Sequence, residues 1–400
     1  MPITLVILLG ALSALAAIST DIYLPAMASM ADDLAADNTQ IQMTLAIFFI
    51  GYGFGQLLFG PLSDSIGRKP VLLAGLCIYI LASMACALST DIDFLIASRL
   101  LQALGGCAAA VTARAIVRDT TREVHTAKAM SSIMAIVQIA PLIAPLIGGA
   151  ILLYFSWSGV FFSLTIYGVV CIVVVSVWIK ESHPVAKRQP FHLCNIIQGY
   201  REALGNANIV LLLMAEVAAA ISLLTFVTGS AFIFSHHYGL SSSYFSSVFA
   251  LMSTGLLLGS YLNRHYVALK GIEAVVTLCL IIGLLSSVAL FALAMLAPEK
   301  HFWLMAVLWL SLIPCAAARA NYIALGLQYL PSRTGTVAAL FGAFSLGIGG
   351  IIAVLIGRFN PFTPLNMATM ILSGYVLSAF FYSLWRFYNY RLRGNTIMQE

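Results

Sequence analysis

The chain is 400 residues long, 61% apolar and only 9% charged, with a mean hydropathy of +0.98. Water-soluble domains carry roughly a quarter charged residues, so a soluble globule of this composition would expose large apolar patches and aggregate. Its apolar runs are continuous over roughly 18–25 residues, which excludes a β-barrel of short alternating strands and leaves a polytopic helical membrane protein. The formal charge of +5 then reports topology rather than a partner, and nucleic acid is not expected.

A helix needs about 20 apolar residues to cross the hydrocarbon. Twelve stretches qualify, over 3–24, 41–62, 70–88, 92–117, 127–152, 157–179, 208–234, 243–263, 273–296, 301–326, 335–357 and 364–388. The first is read as a helix rather than a secretory leader, because no Lys or Arg precedes Arg68 and the apolar run continues into Asp21-Ile-Tyr-Leu-Pro25. All separators are short except one, which carries charges, prolines and an amphipathic stretch. The expected organisation is therefore an N-terminal six-helix bundle over 1–180, a cytoplasmic linker over 181–207 and a C-terminal six-helix bundle over 208–400.

Orientation follows from the basic residues. With both termini inside, fifteen of the twenty Lys and Arg fall in cytoplasmic segments, among them Arg68, Lys69, Arg118, Arg122, Lys128, Lys187, Arg391 and Arg393. Only Lys300 and Arg358 fall outside, which satisfies the positive-inside rule for an inner-membrane protein. The external loops are acidic instead, as at Asp32, Asp33, Asp37, Asp91 and Asp93. The seven cysteines are scattered without disulfide or metal-ligand spacing, and no metal site is expected.

The loop after the second stretch reads Gly60-Pro-Leu-Ser-Asp64-Ser-Ile-Gly67-Arg68-Lys69-Pro70. It is a tight turn, with Gly67 free to adopt a backbone that other residues resist and Pro70 near the start of the next helix. Its spacing resembles the G-x-L-a-D-x-x-G-R-[KR]-x signature of the major facilitator superfamily. There the signature engages an acidic residue at the end of the fourth helix and latches one conformation; Asp119 occupies that position. Arg99-Leu-Leu-Gln102-Ala-Leu-Gly105 resembles the family's R-x-x-Q-G motif, with its glycine shifted by two residues. Pro141-Leu-Ile-Ala-Pro145-Leu-Ile-Gly148-Gly149 resembles its antiporter motif, in which proline and small residues kink the fifth helix for close packing. With Asp21-Ile-Tyr23-Leu-Pro25 and Arg114-Ala-Ile-Val-Arg118-Asp119, the pattern is similar to the Bcr/CflA drug-resistance branch. The C-terminal half carries only a decayed copy of the loop signature, Gly259-Ser-Tyr-Leu-Asn263-Arg264.

Charges inside the bilayer cost several kcal/mol unless paired or wetted, so they are functional candidates. Asp21 and Glu216 are the acids well inside spans, and Arg99, Arg114 and Arg319 are the bases. They fall on the first, fourth, seventh and tenth stretches, which the resemblance places around a central cavity. At 1.5 Å per residue, Glu216 lies roughly 12 Å from the cytoplasmic start of its span and Arg319 roughly 15 Å from the cytoplasmic end of its own. That match in depth favours a Glu216–Arg319 pair. Asp21, roughly 27 Å along its span, and Arg99, roughly 18 Å above the cytoplasmic face, match less well, though the Arg side chain narrows the gap. Arg114 is placed within a turn of the cytoplasmic end, in reach of the interface by snorkelling.

Burial favours the neutral form of a carboxylate and a neighbouring cation favours the charged form, so moving the cation switches proton affinity. Asp21 and Glu216 are accordingly the candidates for proton coupling, with structural capping or ion pairing as the alternatives. Tyr23, Tyr52, Gln56, Gln138, Asn321 and Tyr322 are candidate cavity-lining residues, with ordinary packing as the alternative for each. His236-His237 is read as an exposed loop pair.

The resulting expectation is an all-α membrane protein of the major facilitator fold. It would be a monomeric proton-coupled antiporter that exports small organic molecules, driven by the proton gradient and needing no cofactor. A dedicated exporter of one endogenous metabolite, such as a siderophore, and a proton-coupled importer remain as alternatives. A membrane-embedded enzyme is disfavoured, because no H-E-x-x-H set or intramembrane Ser/His pair is found, and no Walker loop points to ATP. A ligand-gated sensor would normally carry a soluble domain, for which the linker is too short.

Overall fold

The computed structural model describes residues 3–121, 123–188, 191–359 and 362–397. The side chains of Arg122, Lys128, Lys187, His236, Arg391 and Arg393 lie outside the described residues, so their part in the charge asymmetry and in the histidine pair is not addressed by it. Among the described residues the secondary structure is helical, with no strand. In chain order the helices are α1 (Ile3–Asp21), α2 (Met27–Asp33), α3 (Asn38–Ile66), α4 (Arg68–Ala87), α5 (Ile92–Thr120), α6 (Glu123–Ile151), α7 (Trp157–Trp178), α8 (Leu193–Gly205), α9 (Ala207–Ala231), α10 (Ser242–Lys270), α11 (Ile272–Leu296), α12 (His301–Leu327), α13 (Thr334–Arg358) and α14 (Pro364–Ile397). Among the described residues, twelve segments are long and apolar enough to cross a membrane, α1 and α2 counting as one over Ile3–Asp33.

Most helices outrun the apolar stretches that announce them. The third helix starts at Asn38 because Asp37 and Gln40 form a capping box, each side chain bonded to the other's backbone N–H at 2.7 and 3.0 Å. Asp91 likewise caps α5 through the N–H of Phe94 at 2.8 Å. The eighth crossing carries on to Lys270, so Arg264 rides on α10 rather than in a loop. The amphipathic stretch of the connection folds as α8.

The first crossing is broken. Helix α1 stops at Asp21, Leu24-Pro25-Ala26 form a 3-10 turn and α2 runs through Asp32 and Asp33. Pro25 lacks the N–H that a continuous helix needs, which accounts for the interruption just after Asp21.

Two compact units are distinguished by their internal contacts. The first comprises Met1–His192 together with Val227–Leu251 and Gly350–Phe362. In it α4 packs on α5 and α7, α3 on α5, and α1 on α5 and α6. The two later segments are bound into this unit by polar contacts. Gln42 donates to the Thr228 carbonyl at 2.9 Å, and Thr39 to the Gly357 carbonyl at 3.0 Å. The second unit comprises Leu193–Phe226, Met252–Gly349 and Thr363–Glu400, with α11 packed against α12 and α14.

Candidate functional site

Three clusters gather the candidate residues, two in the first unit and one in the second. The first is the turn between α3 and α4. Gly67 ends α3 and opens α4 with φ +113°, a backbone that only glycine adopts without strain. This turn delivers Arg68 into a buried site, 2% exposed, where its guanidinium meets Asp64 at 2.5 Å, Asp119 at 2.9 Å and the Ser63 hydroxyl at 2.6 Å. The loop signature and the end of α5 are therefore in contact through Arg68, the arrangement that the family resemblance implies. Gly60 is the exception, because a β-carbon there would meet nothing within 4 Å. One member of the cluster was not foreseen. Glu181, just beyond α7, accepts the backbone N–H groups of Arg68 at 3.0 Å and Lys69 at 3.2 Å, and so caps α4 from a distance in sequence.

The second cluster surrounds Arg99, which is fully buried. Its guanidinium donates to Gln102 Oε1 at 2.6 Å, to the Ser19 carbonyl at 3.1 Å and to the Thr44 carbonyl at 3.4 Å. It lies 4.4 Å from the ring centres of both Tyr23 and Phe48. The expected Asp21–Arg99 pair does not form. Asp21 is buried and accepts from the Thr20 hydroxyl at 3.1 Å, with no cation paired to it among the described residues. The reason is positional: α1 ends at Asp21, and Arg99 spends its bonds on the carbonyl of Ser19, two residues earlier, on the Thr44 carbonyl and on its own i+3 neighbour Gln102. Tyr23 is fully buried, its hydroxyl bonded to Thr44, so it packs the cage instead of lining open space. Arg114, on the same helix as Arg99, is half-buried and sits six residues, about 9 Å, inside the end of α5 rather than within a turn of it. Its Nε donates to the Ala110 carbonyl at 3.3 Å.

On the same bundle, Tyr52 and Gln56 lie one turn apart on α3, and neither has a hydrogen-bond partner among the described residues. Gln138 on α6 is half-buried and likewise without one. Pro141 and Pro145 stand inside α6 without ending it. Beyond them Gly148 presses on the chain beside Asp21, because a β-carbon there would fall 1.9 Å from the Ile22 carbonyl oxygen. Gly149 faces Ser246 of α10.

In the second unit Glu216 on α9 and Arg319 on α12 form the expected pair, at 2.9 Å, and Arg319 also donates to Ser345 of α13 at 2.5 Å. Glu216 Oε2 is buried without a partner among the described residues. Tyr322 is fully buried and bonded to Ser378 at 2.9 Å, while Asn321 exchanges amide bonds with Asn263 at 2.7 and 3.3 Å. Both therefore knit the helices together rather than line a cavity. The sequence offers no signal for Ser345 or Glu181, and it offers Gln102 only as a member of the R-x-x-Q-G-like motif, three residues from Arg99.

The model of the Major Facilitator Superfamily matches residues 9–354. The chain belongs to this superfamily. It is thus a multi-pass membrane transporter of small molecules, not an enzyme. Among superfamily members it is similar to a bicyclomycin resistance protein homolog of Haemophilus influenzae, 29% identical over 97% of this chain and 98% of that one. It is also similar to the multidrug resistance protein D of Escherichia coli K12, 26% identical over 88% of each chain. A solved bacterial homolog of the human lysosomal transporter Spinster superposes with a TM-score of 0.72 at 16% identity, covering 96% of each chain. A solved D-xylose-proton symporter gives 0.72 at 12% identity, over 93% of this chain and 96% of that one. At that identity the likeness is one of fold.

Proposed function

We propose that this transporter exports small organic molecules, drugs or amphiphilic metabolites, across the inner membrane in exchange for protons. The basic ends of the helices and both termini face the cytoplasm, the protein acts as a monomer by alternating access, and the proton gradient is its only energy source. The end-to-end similarity to a protein named for bicyclomycin resistance supports export of a drug-like molecule.

One observation carries the proton half of the reading: Asp21 is buried at the break in the first crossing, and among the described residues no cation pairs with it. A carboxylate in that position is stable when protonated and costly when charged, so it loads a proton while dry and releases it when wetted. Glu216 is placed differently. Its charge is matched by Arg319, and an event that withdraws Arg319 would turn it into a second proton acceptor.

The test uses everted membrane vesicles with an imposed proton gradient and a pH-quenched dye. Phenicols, cationic dyes and siderophore-like chelators are added to wild type, Asp21→Asn and Glu216→Gln. Dequenching by one class of compound, lost in Asp21→Asn, is the expected result. Compound movement without any proton movement would replace antiport by uniport.

A further inference from the structure

The amphipathic stretch of the long connection has no part in the three clusters. Folded as the 13-residue helix α8, it has three sides rather than two. Gly199 and Ala203 share a buried side that packs on the second unit. A β-carbon on Gly199 would fall 2.7 Å from Arg333 Nη1, and Glu202 holds Arg333 Nε at 2.8 Å, so α8 is fastened to the turn between α12 and α13. The next side turns Leu193, Ile197 and Leu204 outward, 58%, 49% and 44% exposed. The remaining side is polar and exposed, with Asn195, Gln198 and Cys194.

A helix docked on a bundle in water needs only two sides, one apolar and buried, the other polar. A third side, apolar and exposed, fits a helix that lies between lipid and water with protein against one flank. The position of α8 agrees. It ends at Gly205, and Asn206 caps α9 by accepting the N–H groups of Asn208 at 3.0 Å and Ile209 at 3.4 Å. Helix α9 crosses the membrane from Ala207, so the last turn of α8 lies within two residues of a membrane entry, about 3 Å of helix rise. Arg201 borders the apolar side, one turn from Ile197; it is exposed and has no ion pair among the described residues. Its stem can lie along the apolar side while its charge reaches lipid phosphate. A second copy of the chain is a poor occupant, since three side chains fall well short of the roughly 800 Å² per partner that a stable dimer buries.

We infer that α8 is seated in the surface of the lipid leaflet beside it, cytoplasmic in the orientation proposed above. Leu193, Ile197 and Leu204 lie among the upper acyl chains, and Arg201 lies at the lipid phosphates. The partner is a lipid surface, whatever molecule the protein transports. Through Glu202 and Arg333 the seat is joined to the turn between α12 and α13, so the lipid sets the level at which that turn stands.

The test places a fluorophore on single cysteines of the full chain. Cys77 and Cys194, both exposed, are replaced by serine, and the labelled sites are Leu193→Cys, Ile197→Cys, Leu204→Cys and Gln198→Cys. Cys194 itself, kept in Cys77→Ser, supplies a second label on the polar side. The protein is reconstituted in vesicles of phosphatidylethanolamine and phosphatidylglycerol that carry either a doxyl-labelled lipid or iodide on both sides. Doxyl quenching is expected to be roughly twofold or more stronger at the three apolar positions than at the two polar ones, and iodide quenching the reverse. Arg201→Gln should lower the doxyl quenching at Ile197→Cys. Equal iodide quenching around the helix would put the apolar side in water, and protection from both quenchers would put it under protein. Either result overturns the seat, while unchanged quenching in Arg201→Gln overturns the phosphate contact. Should a labelled variant fail to reach the membrane, the wild type is treated with a photoactivatable phospholipid. Adducts within 193–204 are then expected, and their absence while the crossings are labelled overturns the seat.

Discussion

Glu216 on α9 and Arg319 on α12 hold each other at 2.9 Å, the carboxylate 1% exposed and the guanidinium 23% exposed. The two partners are therefore not equally dependent on one another. Removing Arg319 strands a buried carboxylate, whereas removing Glu216 leaves a cation that still has Ser345 and some contact with its surroundings.

Arg319→Gln is expected to destabilise the protein by about 3–5 kcal/mol, and Glu216→Gln by about 1–2 kcal/mol. The double variant should recover most of the difference, since no unmatched charge remains. Thermal unfolding in detergent of the three variants checks the order. Equal losses in both single variants would mean that the pair is not the source of the effect.

The glycines of the two sequence signatures should respond oppositely to a methyl group. Gly148→Ala forces a β-carbon against the Ile22 carbonyl, and the backbone of α1 has no flexible end to give way. A loss of about 1–3 kcal/mol, with α6 pushed away from the break after Asp21, is expected. Gly60→Ala, inside α3, meets open space and should leave stability unchanged or raise it by up to about 1 kcal/mol. The check is a side-by-side melting comparison.

Glu181→Ala removes the carboxylate that accepts the first two N–H groups of α4. Loss of a cap costs about 1 kcal/mol, so the amides of Arg68 and Lys69 should exchange with deuterium roughly fivefold faster. Amides in the middle of α4 should be unaffected. Hydrogen exchange read by mass spectrometry resolves the two regions.

Arg99→Lys should not be tolerated as a conservative change. A lysine amine cannot reach Gln102, the Ser19 carbonyl and the Thr44 carbonyl in one plane, nor stack between Tyr23 and Phe48. A loss of about 2 kcal/mol and a lower yield of folded protein are expected, measured by fluorescence-detected size exclusion.

The twelve crossings were legible because, in a chain so poor in charge, a continuous apolar run of that length fits little besides a membrane helix. Their ends were less so. Capping by Asp37 and Asp91 and the polar continuation of α10 to Lys270 depend on local backbone bonds that hydropathy does not record. Among the charges, depth along the helix anticipated the Glu216–Arg319 pair and graded Asp21–Arg99 as the poorer match. The cage that Arg99 does occupy is made largely of backbone carbonyls, and every residue type supplies those. Glu181 was invisible for a related reason: its partners are the main-chain N–H groups of residues more than a hundred positions earlier.

That carboxylate also stands where the chain leaves α7 for the long connection, between the last turn of a membrane helix and Arg188, whose guanidinium lies 3.7 Å away. Tension along the connection is therefore not borne by the covalent chain alone. Two hydrogen bonds pass it sideways to the leading turn of α4, beside the residue that holds Asp64 and Asp119. The connection works as a tether with its anchor point inside the clasp, and a pull on the one is a load on the other.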